Sequence, residues 1–227
     1  MLLGNKPIGT VGYLGGLMSL PEKFCWCWAQ MVQYNAEFLC NPGQYVHYNR
    51  ATVSFHSVAR NSLVESMKGD WLFSVDTDHE FEPDIVARLL HRMNKYDIDV
   101  IVGIYTYKSP PYLPVLYQSD DNGAFQQLVQ WQDADVFEIS SAGGGCLLVK
   151  RKVFDRIRDE LKESPFDIEF PFSEDHSFFR RLQKLGIKSY CAPAVEAKHM
   201  IVTTVGVDDI QRDKITTISQ KEVQGFV

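Results

Sequence analysis

The sequence predicts an α/β fold in which helices cover a central, mostly parallel β-sheet. The first half of the chain alternates short apolar segments with longer segments whose apolar residues recur at helical spacing. Their order, β-α-β-α-β-α-β, is typical of parallel strands joined by right-handed crossovers. The apolar segment Trp71 to Val75, bounded by polar residues, fits a buried strand of such a sheet.

Local signals place the helices and strands of this half. A proline opens the first helix at Pro21 and the third at Pro83, because the amide hydrogen that proline lacks has no partner at a first helical position. Ser57 is expected to cap the second helix, and Gly69 to end it. The predicted strands cover residues 8–14, 45–48, 71–75 and 99–105, and the predicted helices cover residues 21–39, 58–69 and 83–93.

The second half is less regular. Residues 105–114 contain three prolines and three tyrosines and predict a long loop. A turn at Asp121-Asn122-Gly123 is expected to join two strands as a hairpin. Ser173 is expected to cap a helix that Gly186 ends. The other predicted elements are strands at 146–149 and 188–191 and a helix at 152–161.

Two aspartates follow the strand at Trp71–Val75. Because side chains alternate along an extended chain, Asp76 and Asp78 are expected to point to the same side. Neighbouring carboxylates repel each other unless a cation, a proton or a donor lies between them, and a divalent metal is the most common solution. We interpret the pair as a metal site at the carboxyl edge of the sheet, where open α/β folds bind ligands. The alternative is that both acids only form a turn and cap the next helix.

Composition narrows the function classes. The 227 residues suffice for one domain with a sizeable core, and the net charge of −6 gives no general basic surface for nucleic acid. Five cysteines without paired C-x-x-C spacing favour reduced thiols over disulfides or a zinc site. We expect neither a transmembrane segment nor an export signal, and therefore a cytoplasmic location.

Two further groups of residues each allow two interpretations. Gly143, Gly144 and Gly145 precede a strand and permit close approach of a ligand, although a flexible connector explains them nearly as well. Glu174 and Asp175 open a helix, where acids often only complement the helix dipole.

Three motifs lie in order between residues 57 and 199. The first is Ala59-Arg60-Asn61, followed by the block that runs from Gly69 to Asp78. The second is the segment from Ser141 to Arg151, and the third is Ser173-Glu174-Asp175, with His199 after it. In this order and spacing they resemble the motifs of the family-2 class of GT-A glycosyltransferases. The resemblance implies a single GT-A (Rossmann-like) domain, in which residues 1–105 bind a nucleotide sugar, residues 106–200 form an acceptor and catalytic half, and residues 201–227 form a tail.

The resemblance implies transfer of a sugar from a nucleotide-diphosphate sugar, with a UDP-sugar favoured, to an acceptor hydroxyl. Asp78 would bind the metal directly, His199 would add a nitrogen ligand, and Asp76 would hold the metal, the ribose or the sugar. Oxygen and imidazole ligands together suit Mn²⁺ somewhat better than Mg²⁺. The acceptor can be a glycan, a protein, a lipid or a modified base.

The resemblance also implies a catalytic base and an acceptor surface. For an inverting transfer Asp175 would deprotonate the acceptor hydroxyl, with Glu174 as its partner or substitute. A helix N-terminus lowers the pKa of a carboxylate, so burial or the neighbouring acid would have to offset the dipole. Gly143, Gly144 and Gly145 would let the acceptor lie close to the backbone.

Other residues are expected on the donor side. Arg60, with Asn61 beside it, would bind the diphosphate or pair with Asp76. Gly12 and Tyr13 end the first strand, where the family commonly has a Pro-x-Tyr-Asn-like turn, and are expected at the nucleotide.

Two other functions fit acids at strand ends. A metal-dependent nucleotidyltransferase uses a similar sheet, but it usually has an early basic, glycine-rich loop, and residues 12–19 contain no Arg or Lys. The other alternative is a sugar- or nucleotide-binding module without catalysis.

Overall fold

In a computed structural model of the chain, residues 6–15, 19–52, 55–120, 123–131 and 133–201 are described. The predicted tail beyond Ile201, the turn residues Asp121 and Asn122, and Gly16 therefore lie outside the described residues. The first half contains β1 (Lys6–Leu14), α1 (Glu22–Tyr34), β2 (Gln44–Ala51), α2 (His56–Ser66), β3 (Trp71–Val75), β4 (His79–Phe81), α3 (Ile85–Lys95) and β5 (Val100–Ile104).

The second half is built from shorter elements. It contains β6 (Leu116–Ser119), β7 (Phe125–Gln127), β8 (Phe137–Ile139), β9 (Ser141–Ala142), β10 (Cys146–Lys150), α4 (Arg151–Arg156), α5 (Glu174–Lys184) and β11 (Ser189–His199). Wider, π-helical turns extend α1 through Asn35–Leu39 and α4 through Ile157–Leu161. The predicted helix boundaries near Leu39 and Leu161 are therefore confirmed.

The main sheet has the strand order β2-β1-β3-β10-β5-β11-β4, with β8 paired to β11. β1 is parallel to β2 and β3, and β11 is parallel to β5, as the alternating pattern predicts. β10 lies antiparallel between β3 and β5. The predicted hairpin forms from β6 and β7, and together with β9 it makes a second, three-stranded sheet.

Helices cover both faces of the main sheet. Apolar residues of α2, α4 and α5, among them Leu63, Phe154 and Phe178, form one buried core. Residues of α1 and α3, among them Phe24 and Leu89, form the other. β3 contributes Leu72 to the first core and Phe73 to the second, because successive side chains of a strand point to opposite faces.

Several element boundaries differ from the prediction. α3 begins at Ile85, two residues after the proline that is expected to open it, and α2 ends at Ser66, before Gly69. Helix α2 begins at His56 after an extended Phe55, with no capping side chain, so the predicted cap at Ser57 is wrong. β11 is far longer than the predicted strand at 188–191, because it continues through an irregularity between Ala192 and Glu196 to His199. Its last part pairs antiparallel with β4, a short strand that the sequence pattern does not predict.

Within the described ranges, none of the helices has both the length and the apolar composition needed to cross a membrane.

Candidate active site

The carboxyl edge of the main sheet brings the first site residues together. β3 ends at Val75 opposite Cys146, the first residue of the antiparallel β10. Asp76, which follows β3, therefore lies beside Gly145, which precedes β10, and its amide donates to the Gly145 carbonyl oxygen at 3.1 Å. The Gly145 amide in turn donates to the hydroxyl of Tyr105, the residue after β5, at 3.3 Å.

A cavity of about 280 Å³ opens at this edge. Its walls come from the loop after β3, from the first turns of α2 and from the first turn of α5. The residues that line it are Leu14, His56, Arg60, Asp76, Thr77, Asp78, Glu174 and Asp175. Five residues predicted from two separate motifs thus surround one space.

The two aspartates reach the cavity by a turn and not by strand alternation. β3 ends at Val75, and the amide of His79 donates to the Asp76 carbonyl oxygen at 3.3 Å, which closes the turn. The side chains then take different partners. Asp76 pairs with Arg60, whereas Asp78 accepts a hydrogen bond from Lys108.

Arg60 is the buried cation of the site, with 3% of its surface exposed. One terminal nitrogen donates to Ser74 Oγ and to the Gly144 carbonyl oxygen, both at 3.0 Å. The other donates to Asp76 Oδ1 at 3.3 Å. Its Nε lies 3.0 Å from Asp175 Oδ1 and 3.5 Å from Glu174 Oε1. The predicted pairing with Asp76 is therefore present, and Arg60 also holds the two acids of α5.

Asp175 is an acid with an unusually high affinity for a proton. Burial raises its pKa to about 6, against the attraction of Arg60, and repulsion from Glu174 and Asp76 acts in the same direction as burial. Ser173 caps the helix as predicted, with the His176 amide donating to its hydroxyl at 3.4 Å. The lowering effect of the helix N-terminus is thus outweighed by burial and by the neighbouring acids.

A second cluster includes Asp78, one of the residues that line the cavity. One ligand atom each from Asp78, His79 and His199 lies within 4.8 Å of the others. Asp78 Oδ1 and His79 Nε2 are buried and make no hydrogen bond, so the cluster offers unpaired electron-pair donors. Carboxylate and imidazole ligands of this kind fit a divalent transition metal.

Burial and neighbouring charges shift the pKa values of Asp78 and His79 in the directions that favour metal binding. Burial alone would raise the pKa of Asp78, but the hydrogen bond from Lys108 and the nearby histidines lower it, which favours the carboxylate. Burial lowers the pKa of His79 and so favours the neutral imidazole. Metal ions bind carboxylates and neutral imidazoles, so both shifts favour the ligand forms.

Comparison with known sequences gives the family. The sequence model described as glycosyl transferase family 2 matches residues 30–158, more than half of the chain. The chain belongs to glycosyl transferase family 2. The predicted family and the predicted enzyme class, a glycosyltransferase, are confirmed.

A curated relative of this family 2 chain is also a glycosyltransferase. It is 29% identical, over 115 residues, to the glycosyltransferase GlyA of Streptococcus pneumoniae serotype 4 (strain ATCC BAA-334 / TIGR4). That match takes in 46% of this chain but only 16% of GlyA, so the chain spans a small part of that protein's length.

Two solved structures share the fold at low sequence identity. A197 from STIV has a TM-score of 0.56 and 17% identity, covering 85% of this chain and 86% of its own. GalNAc-T7, solved with UDP, GalNAc and Mn²⁺, has a TM-score of 0.57 and 12% identity, covering 96% of this chain and 47% of its own. The predicted GT-A fold is confirmed.

The glycines of the family 2 chain make room for side chains of the site. A Cβ atom on Gly144 would lie 2.5 Å from Asp175 Oδ1 and 2.6 Å from Arg60 Cζ. A Cβ atom on Gly145 would lie 2.6 Å from His79 Cε1, and one on Gly143 would lie 1.8 Å from the Tyr105 hydroxyl. Close approach is therefore the structural reason for these residues, and their contact with an acceptor stays a prediction.

Three residues predicted at the nucleotide do not line this cavity. Gly12 faces Leu63 of α2, and Tyr13 packs edge-on against the rings of Phe24 and Trp28. Asn61 points to the loop before α5, where its Nδ2 donates to Asp167 Oδ1 at 2.8 Å and its Oδ1 accepts from the Phe166 amide at 2.9 Å. Their predicted contacts with a nucleotide stay predictions.

Sequence reasoning missed two residues of the site. His79 follows the Asp-x-Asp motif directly, and that adjacency was the only local signal for it. Lys108 is the single basic residue of the loop at 105–114, so a search of that loop for a charge partner of the acids would have found it.

Proposed function

We propose that the chain is a metal-dependent glycosyltransferase that moves a sugar from a UDP-sugar to an acceptor hydroxyl. The observation that carries the proposal is that one cavity edge holds both a largely buried carboxylate whose pKa is about 6 and a cluster of carboxylate and imidazole donors, two of them without a hydrogen-bond partner. An inverting transfer needs a base and a cation on opposite sides of the reacting carbon. Asp175 and the cluster around Asp78 supply these two groups.

The donor half of the proposal rests on the chemistry of the cluster. Asp78 and His199 would hold the metal, and Asp76 would contact the metal, the ribose or the sugar. A bound divalent ion supplies Lewis-acid stabilisation of the departing diphosphate. The mixed oxygen and nitrogen donors favour Mn²⁺ over Mg²⁺. The choice of UDP is supported by GalNAc-T7, a fold neighbour solved with UDP and Mn²⁺.

The acceptor half rests on Asp175. Its carboxylate would take the proton of the acceptor hydroxyl as the acceptor oxygen bonds to the anomeric carbon and the bond from that carbon to the diphosphate oxygen breaks. A pKa of about 6 keeps Asp175 mostly ionised at neutral pH while making it a stronger base than an ordinary aspartate. Glu174 would share the charge, and Arg60 would position both carboxylates.

These roles assign a different substrate to each half of the chain. Residues 1–105 would bind the nucleotide sugar, and residues 106–200 would hold the acceptor, with Gly143, Gly144 and Gly145 close to it. A cytoplasmic location is part of the proposal, because the five cysteines are free thiols and such thiols persist in a reducing compartment.

A thermal-shift panel tests the donor site. UDP, GDP, CDP and dTDP are added to the wild type with and without Mn²⁺. A ligand at about a hundred times its dissociation constant adds about 2.7 kcal/mol, which should raise the melting temperature by about 5–10 °C. We expect UDP with Mn²⁺ to give this shift, Asp78→Ala to lose it, and the exposed, remote Asp159→Ala to keep it.

Turnover of the identified donor completes the test. UDP release from the corresponding UDP-sugar should fall about a hundredfold or more in Asp175→Asn, the scale expected for loss of a general base. A protein that binds UDP but releases none above the Asp175→Asn background would be a binding module. A shift by another nucleotide alone would overturn the choice of UDP, and no shift by any nucleotide would overturn the proposed donor class.

A further inference from the structure

Two histidines face each other at the end of the main sheet. β4 and β11 pair antiparallel with His79 directly opposite His199. The centroids of the two rings are 4.4 Å apart. The two residues are distant in sequence, and only the extension of β11 beyond its predicted end brings them together.

Backbone carbonyl groups fix the same tautomer in both rings. His79 Nδ1 lies 2.9 Å from the Gly145 carbonyl oxygen, and His199 Nδ1 makes the same kind of contact with the Thr106 carbonyl oxygen. A carbonyl oxygen can only accept, so each Nδ1 carries the proton and each neutral ring presents the lone pair of Nε2. Metal-binding histidines are typically oriented in this way by a hydrogen bond from their other ring nitrogen.

Two electron-pair donors of this group, His79 Nε2 and Asp78 Oδ1, are buried and have no hydrogen-bond partner among the described residues. His79 is 0% exposed, and its Nε2 makes no hydrogen bond. Asp78 Oδ1 is likewise buried without a hydrogen bond, and it lies 3.9 Å from His199 Nε2. The second oxygen of Asp78 accepts from Lys108, a contact that orients the carboxylate and leaves Oδ1 directed at the histidines. Buried polar atoms are normally paired, and a bound cation would supply the missing partner for these lone pairs.

We propose that His79 is a direct metal ligand and that Asp78, His79 and His199 together form the ligand set supplied by the protein. This inference rests on the metal dependence in the proposed function. Asp76 then serves Arg60 and the substrate, since its Oδ1 accepts from Arg60 and it lies outside the group of ligand atoms within 4.8 Å. Two imidazoles and one carboxylate favour Mn²⁺ and later transition metals over Mg²⁺.

Electron paramagnetic resonance with Mn²⁺ tests the ligand set directly. The free ion gives a strong signal, so titration yields the dissociation constant with and without UDP. Pulsed measurements then count the nitrogens bound to Mn²⁺. We expect two histidine nitrogens in the wild type and one in His79→Asn, whose amide can still donate to the Gly145 carbonyl.

The affinities should follow the same pattern. His79→Asn and His199→Asn should each weaken Mn²⁺ binding about tenfold or more, since even the loss of an outer contact to a ligand commonly costs that much. His91→Asn, at an exposed histidine of α3, is the matched control and should bind as the wild type does.

The outcomes separate the two proposals. A single bound nitrogen in the wild type, or wild-type affinity in His79→Asn, overturns the role of His79 and leaves the proposed function standing. Absence of Mn²⁺ binding by the wild type, even with UDP, overturns the metal dependence and this inference with it. The nitrogen count of the wild type decides the matter even where His79→Asn does not fold.

Discussion

Nε of Arg60 lies 3.0 Å from Oδ1 of Asp175, and this contact joins α2 to the first turn of α5. The same guanidinium reaches Asp76 beyond the end of β3 and the carbonyl oxygen of Gly144 before β10. One side chain thus holds Asp175, Asp76 and Gly144 at fixed separations. Arg60 is best understood as the residue that positions the site, because both of its terminal nitrogens donate hydrogen bonds within the protein and its Nε lies beside the acids of α5.

Replacement of Arg60 tests this positioning role. Arg60→Met removes a buried cation and leaves three acids without their partner, which should lower the free energy of unfolding by about 3–5 kcal/mol. Arg60→Lys keeps the charge but cannot reach all of the partners, and should lose less. Urea unfolding at pH 7.5 measures both. Equal stability of Arg60→Met and the wild type would contradict the role.

The pKa of Asp175 predicts the pH dependence of turnover. Because its pKa is raised to about 6, the carboxylate is protonated and inactive below that pH. We expect kcat/KM for UDP release to fall about tenfold for each pH unit below 6 and to level off above 7. A profile from pH 4.5 to 8.5, with melting temperature recorded at each pH, separates titration from unfolding. A level profile between pH 5 and 7 would assign the base elsewhere.

Much of the fold follows from local patterns, and the strands of the first half show why. β3 and β5 are buried along their whole length and, apart from Ser74, carry no polar side chain, because both of their faces are covered. A proline or glycine lies near most helix ends. β4 is only three residues long and has no pattern of its own. The irregular pairing between Ala192 and Glu196 hides the true length of β11.

The site residues likewise divide into those that local sequence patterns predict and those that depend on distant parts of the chain. The acids of the cavity lie in motifs, so their residue types and spacing predict them. The burial of Arg60 was beyond local reasoning, because a lone arginine on a helix is normally solvated, and its burial depends on acids that follow β3 and open α5. His79 was missed for a related reason. His79 can be recognised as a site residue only from its position opposite His199, across the paired strands β4 and β11.

The three consecutive glycines at 143–145 give a further prediction. In Gly144→Ala the new methyl group would overlap both Asp175 and Arg60, so the two side chains must separate. We expect a loss of about 1–3 kcal/mol in stability and a large loss of turnover. Gly186→Ala is the control, because its backbone has φ +64 but open space around the position. It should lose stability and keep kcat. If Gly144→Ala turns over as the control does, the segment tolerates bulk and the packing argument fails.

Asn61 distinguishes a structural role from a nucleotide contact. Its side chain joins α2 to Phe166 and Asp167, in the loop that leads to the acids of α5. Asn61→Ala leaves the Phe166 amide without its acceptor and should cost about 1–2 kcal/mol in the absence of any ligand. Asn61→Asp keeps that acceptor oxygen but replaces the donor to Asp167 with a second carboxylate, so repulsion should make it no more stable than Asn61→Ala at neutral pH. Melting temperatures of both variants, with and without UDP and Mn²⁺, make the distinction.

A lower melting temperature without ligand, together with an unchanged UDP shift, would establish that Asn61 holds the loop. An unchanged apo melting temperature with a lost UDP shift would instead place Asn61 at the nucleotide.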